Sequence, residues 1–267
     1  MVKIDLITGF LGSGKTTFIK KYAQYLLDNG KRLGILENDF GAVNVDMMLL
    51  QDMMGENCEL EMVSSGFDAE CHRRRFKTKL ISMGLLGYDR VIVEPSGIYD
   101  VDEFFDVLCE DPLDRWYEIG NVITVVDATL EESLSEEAEY LLASQLSQAG
   151  VVILSKLEEV SEVQKEALVT HLNAIMEKFK CERRFDKTIT EKGIMTLEKE
   201  DFDKIVLSGY TSHTHTKLWF DKDEVFQSVY MMNKQMTEER LRKAVEDIMG
   251  GPGMWKGLSY QRVYASR

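Results

Sequence analysis

Eight residues, Gly9-Phe10-Leu11-Gly12-Ser13-Gly14-Lys15-Thr16, place three glycines ahead of an ammonium and a hydroxyl. Glycines let a backbone curl until successive N–H groups face one anion. A helix starting at Lys15 would add the partial positive charge of its N-terminus. The lysine can then reach the β and γ phosphates of a nucleotide, and the threonine hydroxyl can ligate Mg²⁺. An apolar strand-like run precedes the loop and an amphipathic run follows it, which is the context that separates this spacing from a chance glycine-rich turn. Gly9, Gly12, Ser13, Gly14, Lys15, Thr16 and Thr17 are therefore the candidate phosphate and Mg²⁺ residues.

Such a loop takes ATP or GTP, so the base must be read elsewhere. Ser155-Lys156-Leu157-Glu158 ends a β-branched run at a place where GTPases commonly present Asn-Lys-x-Asp. A carboxylate at Glu158 would accept from guanine N1–H and the 2-amino group, while the Lys156 stem lies along the ring. Adenine offers a lone pair at N1, which that carboxylate repels. The alternative is an ordinary helix N-terminus with acids near it. In "VIVEPSGIYD", Glu94 closes a buried-type strand where a carboxylate can orient Mg²⁺ or water, or simply be a satisfied strand-end acid. Gly97 can bring a backbone N–H close to a γ phosphate. Asp127 ends "NVITVVDA", and open α/β sheets collect ligands at the carboxyl ends of their strands.

The elements that must hold these residues alternate. Strands are expected at Lys3–Thr8, Lys31–Glu37, Leu60–Val63, Asp89–Glu94, Asn121–Asp127 and Val151–Ser155. Helices are expected at Lys15–Leu27, Cys71–Met83, Glu132–Gln148 and Glu162–Phe179. This pattern predicts an α/β fold, a mostly parallel sheet with helices on both faces. Residues 1–210 form the expected main domain and 211–223 a histidine-containing linker in "SGYTSHTHTK" and beyond. Residues 224–267 would be a short α+β appendage of strand Val225–Met231, helix Thr237–Met249 and strand Leu258–Tyr264. With 32 Lys and Arg against 46 Asp and Glu, a net charge of −14 argues against nucleic acid and anionic lipid as partners. No apolar run is long enough to span a bilayer, and Met1-Val2-Lys3 does not resemble a signal peptide, so a cytoplasmic setting with Cys58, Cys71, Cys109 and Cys181 as thiols is expected.

The order GFLGSGKTT, ENDFG, EPSG, TVVDA and LSKLE resembles the CobW-like GTPases, P-loop proteins linked to metal handling and cobalamin-related roles. The resemblance covers roughly residues 1–180. It implies a P-loop GTPase domain, weak intrinsic hydrolysis, nucleotide-controlled switch segments and a client protein that receives metal. By position, Glu37 and Asp39 would belong to the first switch, and Glu94, Ser96 and Gly97 to the second. Lys15, Glu94 and Asp39 are then the candidate catalytic groups, Thr16 and Glu94 the Mg²⁺ ligands, and Lys156 with Glu158 the base readers.

The departures concern metal. Family members usually carry Cys-x-Cys-Cys after a glycine; here Phe67, Ala69 and Glu70 occupy those places after Gly66, and Cys71 comes one residue late. One Cys beside one His does not rebuild a tetrahedral thiolate site. A rewired Zn²⁺ or Co²⁺ site from Glu37, Asp39, Cys71 and His72 is one possibility; a partly buried thiol with a surface imidazole is the other. His213-Thr214-His215 is either a transient metal contact or a solvated linker. "HRRRFKTK" is either a docking patch for an acidic partner or a solvated helix face.

The reading is a Mg²⁺-dependent, slowly hydrolysing GTP switch that assists metal or cofactor loading of a client metalloenzyme or corrinoid enzyme, with a possible nucleotide-dependent homodimer. Alternatives are a direct metal-binding chaperone and an ATP-dependent P-loop kinase.

Overall fold

Six short aliphatic runs pair side by side, every neighbour parallel, in the order β3-β2-β4-β1-β5-β6. The computed structural model describes residues 1–38, 49–63, 69–130, 133–186 and 192–220, and the single positions 225, 237, 239, 240 and 243. In chain order the elements are β1 (Val2–Thr8), α1 (Lys15–Asp28), β2 (Leu33–Asn38), β3 (Cys58–Val63), α2 (Ala69–Leu85), β4 (Arg90–Pro95), α3 (Val101–Leu108), α4 (Leu113–Trp116), β5 (Tyr117–Asp127), α5 (Glu136–Gln148), β6 (Val151–Ser155), α6 (Glu162–Lys178) and α7 (Lys199–Ile205). Short 3₁₀ turns lie at Gln51–Met53, Leu157–Glu159 and Ile194–Thr196.

The α/β class is as expected, and the period of two decides which face each strand residue meets. Ile4, Leu6, Leu36, Val91 and Val93 pack with Phe76 and Leu80 of α2 and Phe104 of α3. Their chain neighbours Ile7, Ile35 and Ile92 pack on the other face with Phe18, Ile19 and Tyr22 of α1 and Phe202 of α7. A third cluster joins β6, α5 and α6, and includes Phe10 of the glycine loop.

β5 starts at Tyr117, four residues before its expected start. Between Ile4 and Leu6 the β1–β5 register slips, so Gly120 and Asn121 together oppose Asp5. The carboxylate of Asp5 fills that bulge: it accepts from Tyr22 Oη at 2.8 Å, Arg90 Nη1 at 2.6 Å and the Asn121 N–H at 2.8 Å. A Cβ on Gly120 would sit 2.3 Å from Asp5 Oδ1, so the bulge requires glycine there. Asn121 Oδ1 accepts the Gly209 N–H at 2.8 Å, which ties the chain after α7 to the centre of the sheet.

Helices α3, α4 and α7 were not anticipated. Asp100 caps α3 by accepting the Asp102 N–H at 3.1 Å. Residues 210–220 carry no helix, and strand pairing there is confined to a single antiparallel bridge from Tyr210 to Ala149; they do not run free. Thr211 N donates to Gln148 O at 3.0 Å and Thr216 N to Phe179 O at 2.7 Å, so the segment is laid across the ends of α5 and α6. The expected appendage elements at 225–231, 237–249 and 258–264 lie outside the described residues apart from isolated positions. No helix among the described residues is long and apolar enough to cross a membrane.

Candidate functional site

The glycine loop leaves β1 at its carboxyl end. Gly9 has φ +148, and a Cβ there would lie 2.2 Å from Val125 O of β5. Gly12 and Gly14 adopt φ of 75 and 90. Gly14 stands at the N-cap of α1, which has no side-chain cap and no acid in its first turn. By contrast Asp100, Ser135 and Ser161 cap α3, α5 and α6 with side-chain oxygens. The first N–H groups of α1 are thus left for an anion, with the lysine of that first turn, Lys15, held only 8 % exposed beside them.

Thr16 and Glu94 meet. The Thr16 hydroxyl donates to Glu94 Oε1 at 3.1 Å across 78 residues of sequence. Glu37 stands in register with Glu94 on the neighbouring strand, and both acids are almost wholly buried. A hydroxyl and two strand-end carboxylates form a hard-oxygen donor set, the kind Mg²⁺ prefers. Around them Thr8 Oγ1, Ser13 Oγ and both amide atoms of Asn38 are buried with no hydrogen-bond partner among the described residues. A hydrated divalent ion with a triphosphate would supply partners of both polarities at this edge. Asn38, missed in the sequence, is the last residue of β2, and its carbonyl accepts the Ser96 N–H at 2.9 Å.

Gly97 lies on the loop itself: a Cβ there would come within 2.6 Å of Leu11 N. Gln145 of α5 holds this turn by donating to Gly97 O at 3.1 Å. Three residues on, burial pushes the Asp100 carboxyl up. Hydrogen bonds from Ser144, the Asp102 N–H and Tyr140, with the charge of Lys217, more than offset that and hold it below its ordinary value.

The second part of the site is the turn after β6. Ser155 is buried; its Oγ donates to Val126 O at 3.4 Å, and its Cβ lies 3.4 Å from where a Gly14 side chain would start. Lys156 adopts φ 50, and its ammonium pairs with Asp127. Glu158 is exposed. A segment the sequence did not single out closes in here. A Cβ on Gly193 would lie 3.0 Å from Leu157 Cβ and 3.5 Å from Glu158 Oε2, and Ile194 reaches within 3.6 Å of the Gly14 position. The glycine in "EKGIM" was the available signal.

Sequence reasoning grouped other residues that the structure does not gather. Asp39 lies outside the described residues. Among the described residues no three His, Cys, Asp or Glu side chains form a group able to hold a metal ion, so Glu37, Cys71 and His72 are not assembled into one. His72 is 3 % exposed, so the expected surface imidazole is instead buried against the fold. The basic run of α2 is engaged internally: Arg73 and Lys77 both pair with Glu110, Arg74 with Glu70, and Lys79 with Glu61. His215 of the H-x-H pair packs on the Tyr140 ring at 5.7 Å, with Nδ1 3.4 Å from Ser147 Oγ.

A parallel sheet with an uncapped helix behind a glycine loop, and acids at the neighbouring strand ends, defines a P-loop nucleotide-binding protein. Residues 3–185 match the family model described as CobW/HypB/UreG, nucleotide-binding domain, and the chain belongs to that family. Among curated relatives it is similar to zinc chaperone YjiA of Escherichia coli, 27 % identical over 61 % of this chain and 52 % of that protein. Zinc chaperone YeiR of the same organism is 28 % identical over 63 % and 50 %. Zinc-regulated GTPase metalloprotein activator 1 of Dictyostelium discoideum is 23 % identical over 96 % and 62 %. The chain spans about half the length of the first two. Among solved structures, Zn(II)-bound YjiA GTPase from E. coli aligns with 93 % of this chain and 77 % of that one, at a TM-score of 0.43 and 18 % identity.

Proposed function

We propose that this protein binds Mg·GTP, hydrolyses it slowly, and uses the two nucleotide states to assist metal or cofactor loading of a client metalloprotein. The observation that carries the reading is the Thr16–Glu94 contact of 3.1 Å, which joins the phosphate loop to a strand-end acid. The relatives named as zinc chaperones and as a GTPase metalloprotein activator support the client half of the reading.

Phosphoryl transfer needs positioning and charge stabilisation more than covalent chemistry. Here Lys15 and the first N–H groups of α1 would bear the negative charge on the β and γ phosphates. Thr16, with Glu94 and Glu37, would hold Mg²⁺, which supplies further charge neutralisation when bound. Glu94 would also orient the attacking water, and the Gly97 N–H would approach the γ phosphate. Release of that contact after hydrolysis would free the 96–100 turn, giving the switch its second state. None of the motif residues is an arginine, so intrinsic turnover should be slow without a partner or second copy.

Titration calorimetry with GTP, GDP and ATP in Mg²⁺, followed by phosphate release, tests the reading. Expected are a guanine preference, loss of binding in Lys15→Ala, and turnover well below the median of about 10 s⁻¹ for enzymes. Binding of ATP in preference to GTP would reverse the assignment in favour of a kinase-type site. Zn²⁺ titration of the nucleotide-free protein addresses cargo: stoichiometric binding lost in Cys71→Ala would assign metal carriage to this chain itself.

A further inference from the structure

Lys156 is held by an acid from another strand. Its ammonium pairs with Asp127 Oδ2, while Asp127 Oδ1 accepts the Thr129 N–H at 2.8 Å and the Thr129 hydroxyl at 2.7 Å. The β5–β6 register places Asp127 opposite Ser155, the residue before Lys156. Side-chain exposure is 18 % for Asp127 and 41 % for Lys156, so the pair is partly shielded on its acidic side. Glu158, two residues after Lys156, is exposed and makes no hydrogen bond or ion pair among the described residues.

We propose that Asp127 is a specificity-determining residue: by holding the Lys156 ammonium it keeps that charge off Glu158, leaving the Glu158 carboxylate open to accept from guanine N1–H and its 2-amino group. This rests on the guanine-nucleotide reading above. Without Asp127 the flexible lysine would be drawn to Glu158, the exposed acid two residues along. The base could then bind only the fraction of molecules in which that pair is open, and apparent affinity falls by that fraction. Thr129 completes the arrangement, since a carboxylate fixed by two donors loses little further freedom in fixing the lysine. The same pair sets the lysine stem beside the ring.

A purely structural role for Asp127, as the acid of the turn after β5, makes a different prediction. It would lower the affinity for every nucleotide together, or only the melting temperature.

The test is a double-mutant cycle read by titration calorimetry with Mg·GDP and Mg·ADP on wild type, Asp127→Asn, Glu158→Gln and the double variant. Asp127→Asn is expected to weaken GDP about tenfold and to leave ADP within about twofold. In the Glu158→Gln background the same substitution should change GDP by less than about threefold, because the freed lysine has no carboxylate to seize. Equal losses of GDP and ADP, or an undiminished effect without Glu158, would overturn the proposal. Thr129→Val, which loosens Asp127 without removing its charge, decides the matter if Asp127→Asn melts early: reduced GDP-over-ADP discrimination supports the role, and unchanged discrimination sinks it. A wild type that binds no guanine nucleotide overturns the functional reading and this inference together. A wild type that prefers GDP while every variant keeps that preference overturns the inference alone.

Discussion

The residues of the phosphate loop are constrained by backbone geometry before any ligand arrives. Gly9 combines φ +148 with a carbonyl 2.2 Å from where a methyl would stand. Gly9→Ala should therefore destabilise the fold by about 1–3 kcal/mol and abolish nucleotide binding, as read by urea denaturation and calorimetry. Gly97 differs, since its constraint is the approach of another segment, with Leu11 N 2.6 Å from its missing Cβ. Gly97→Ala is expected to push the two loops apart, lower the melting temperature and weaken GTP more than GDP. Equal weakening of both nucleotides would remove Gly97 from the γ-phosphate contact. The glycines of the loop were legible in the sequence because their spacing is local. The close approach at Gly97 was legible only as a glycine in a suggestive place.

Helix α5 connects the site to the chain beyond α7. On one side it holds the 97–100 turn through Tyr140, Ser144 and Gln145. On the other it carries residues 210–220, where Lys217 pairs with Asp102 of α3 and the Phe220 ring meets Tyr140 edge-on at 6.0 Å. The imidazole of His215 sits among these groups. Burial holds its pKa below the ordinary value despite nearby Asp102 and Asp100, while Lys217 pushes the same way as burial. The unfolded segment therefore binds the proton more readily. This contribution to docking is complete above about pH 6.5 and is lost as pH falls through the depressed folded value. Amide exchange of residues 210–220, corrected for the intrinsic pH effect, should accelerate below pH 6.5, and His215→Phe should abolish the pH response. A response unchanged in His215→Phe would place the sensor elsewhere. At the N-terminus of α6, Ser161 Oγ accepts from Gln164 N, and Gln164 Oε1 accepts from the Ser161 N–H in return. Ser161→Ala should cost about 1 kcal/mol.

The molecule as a whole is pinned through Asp5, which lies in the middle of the central strand and is 0 % exposed. Arg90 of β4, Tyr22 of α1 and Asn121 of β5 converge on it, and Asn121 continues to Val206 O and Gly209 N. Three strands, one helix and the exit from α7 thus share one buried polar centre. Asp5→Ala would strand the Arg90 charge in the core, at a cost of about 3–5 kcal/mol in urea denaturation. Replacing Asp5 and Arg90 together with apolar residues of similar volume should recover much of that loss. Absence of recovery would show that Tyr22 and Asn121, which also bond to Asp5, need the ion pair as their partner.

Composition and periodicity were enough to place all six strands and the four longest helices, because alternation of period two and stripes of period 3.6 are written in neighbouring residues. The glycine loop was legible for the same reason: its conformation is dictated by eight consecutive positions and needs no distant partner. Lys156 and the strand-end acids were legible as residue types. Their relations were not. Which acid takes Lys156, which acids neutralise the basic helix, where His215 packs and which loop Gly97 touches all depend on strand order and on contacts between residues far apart in the chain. Asp127 reaches Lys156 because β5 and β6 are neighbours in register; Glu110 reaches Arg73 and Lys77 because α3 ends beside α2. No local pattern encodes those neighbours, so tertiary packing alone decided them.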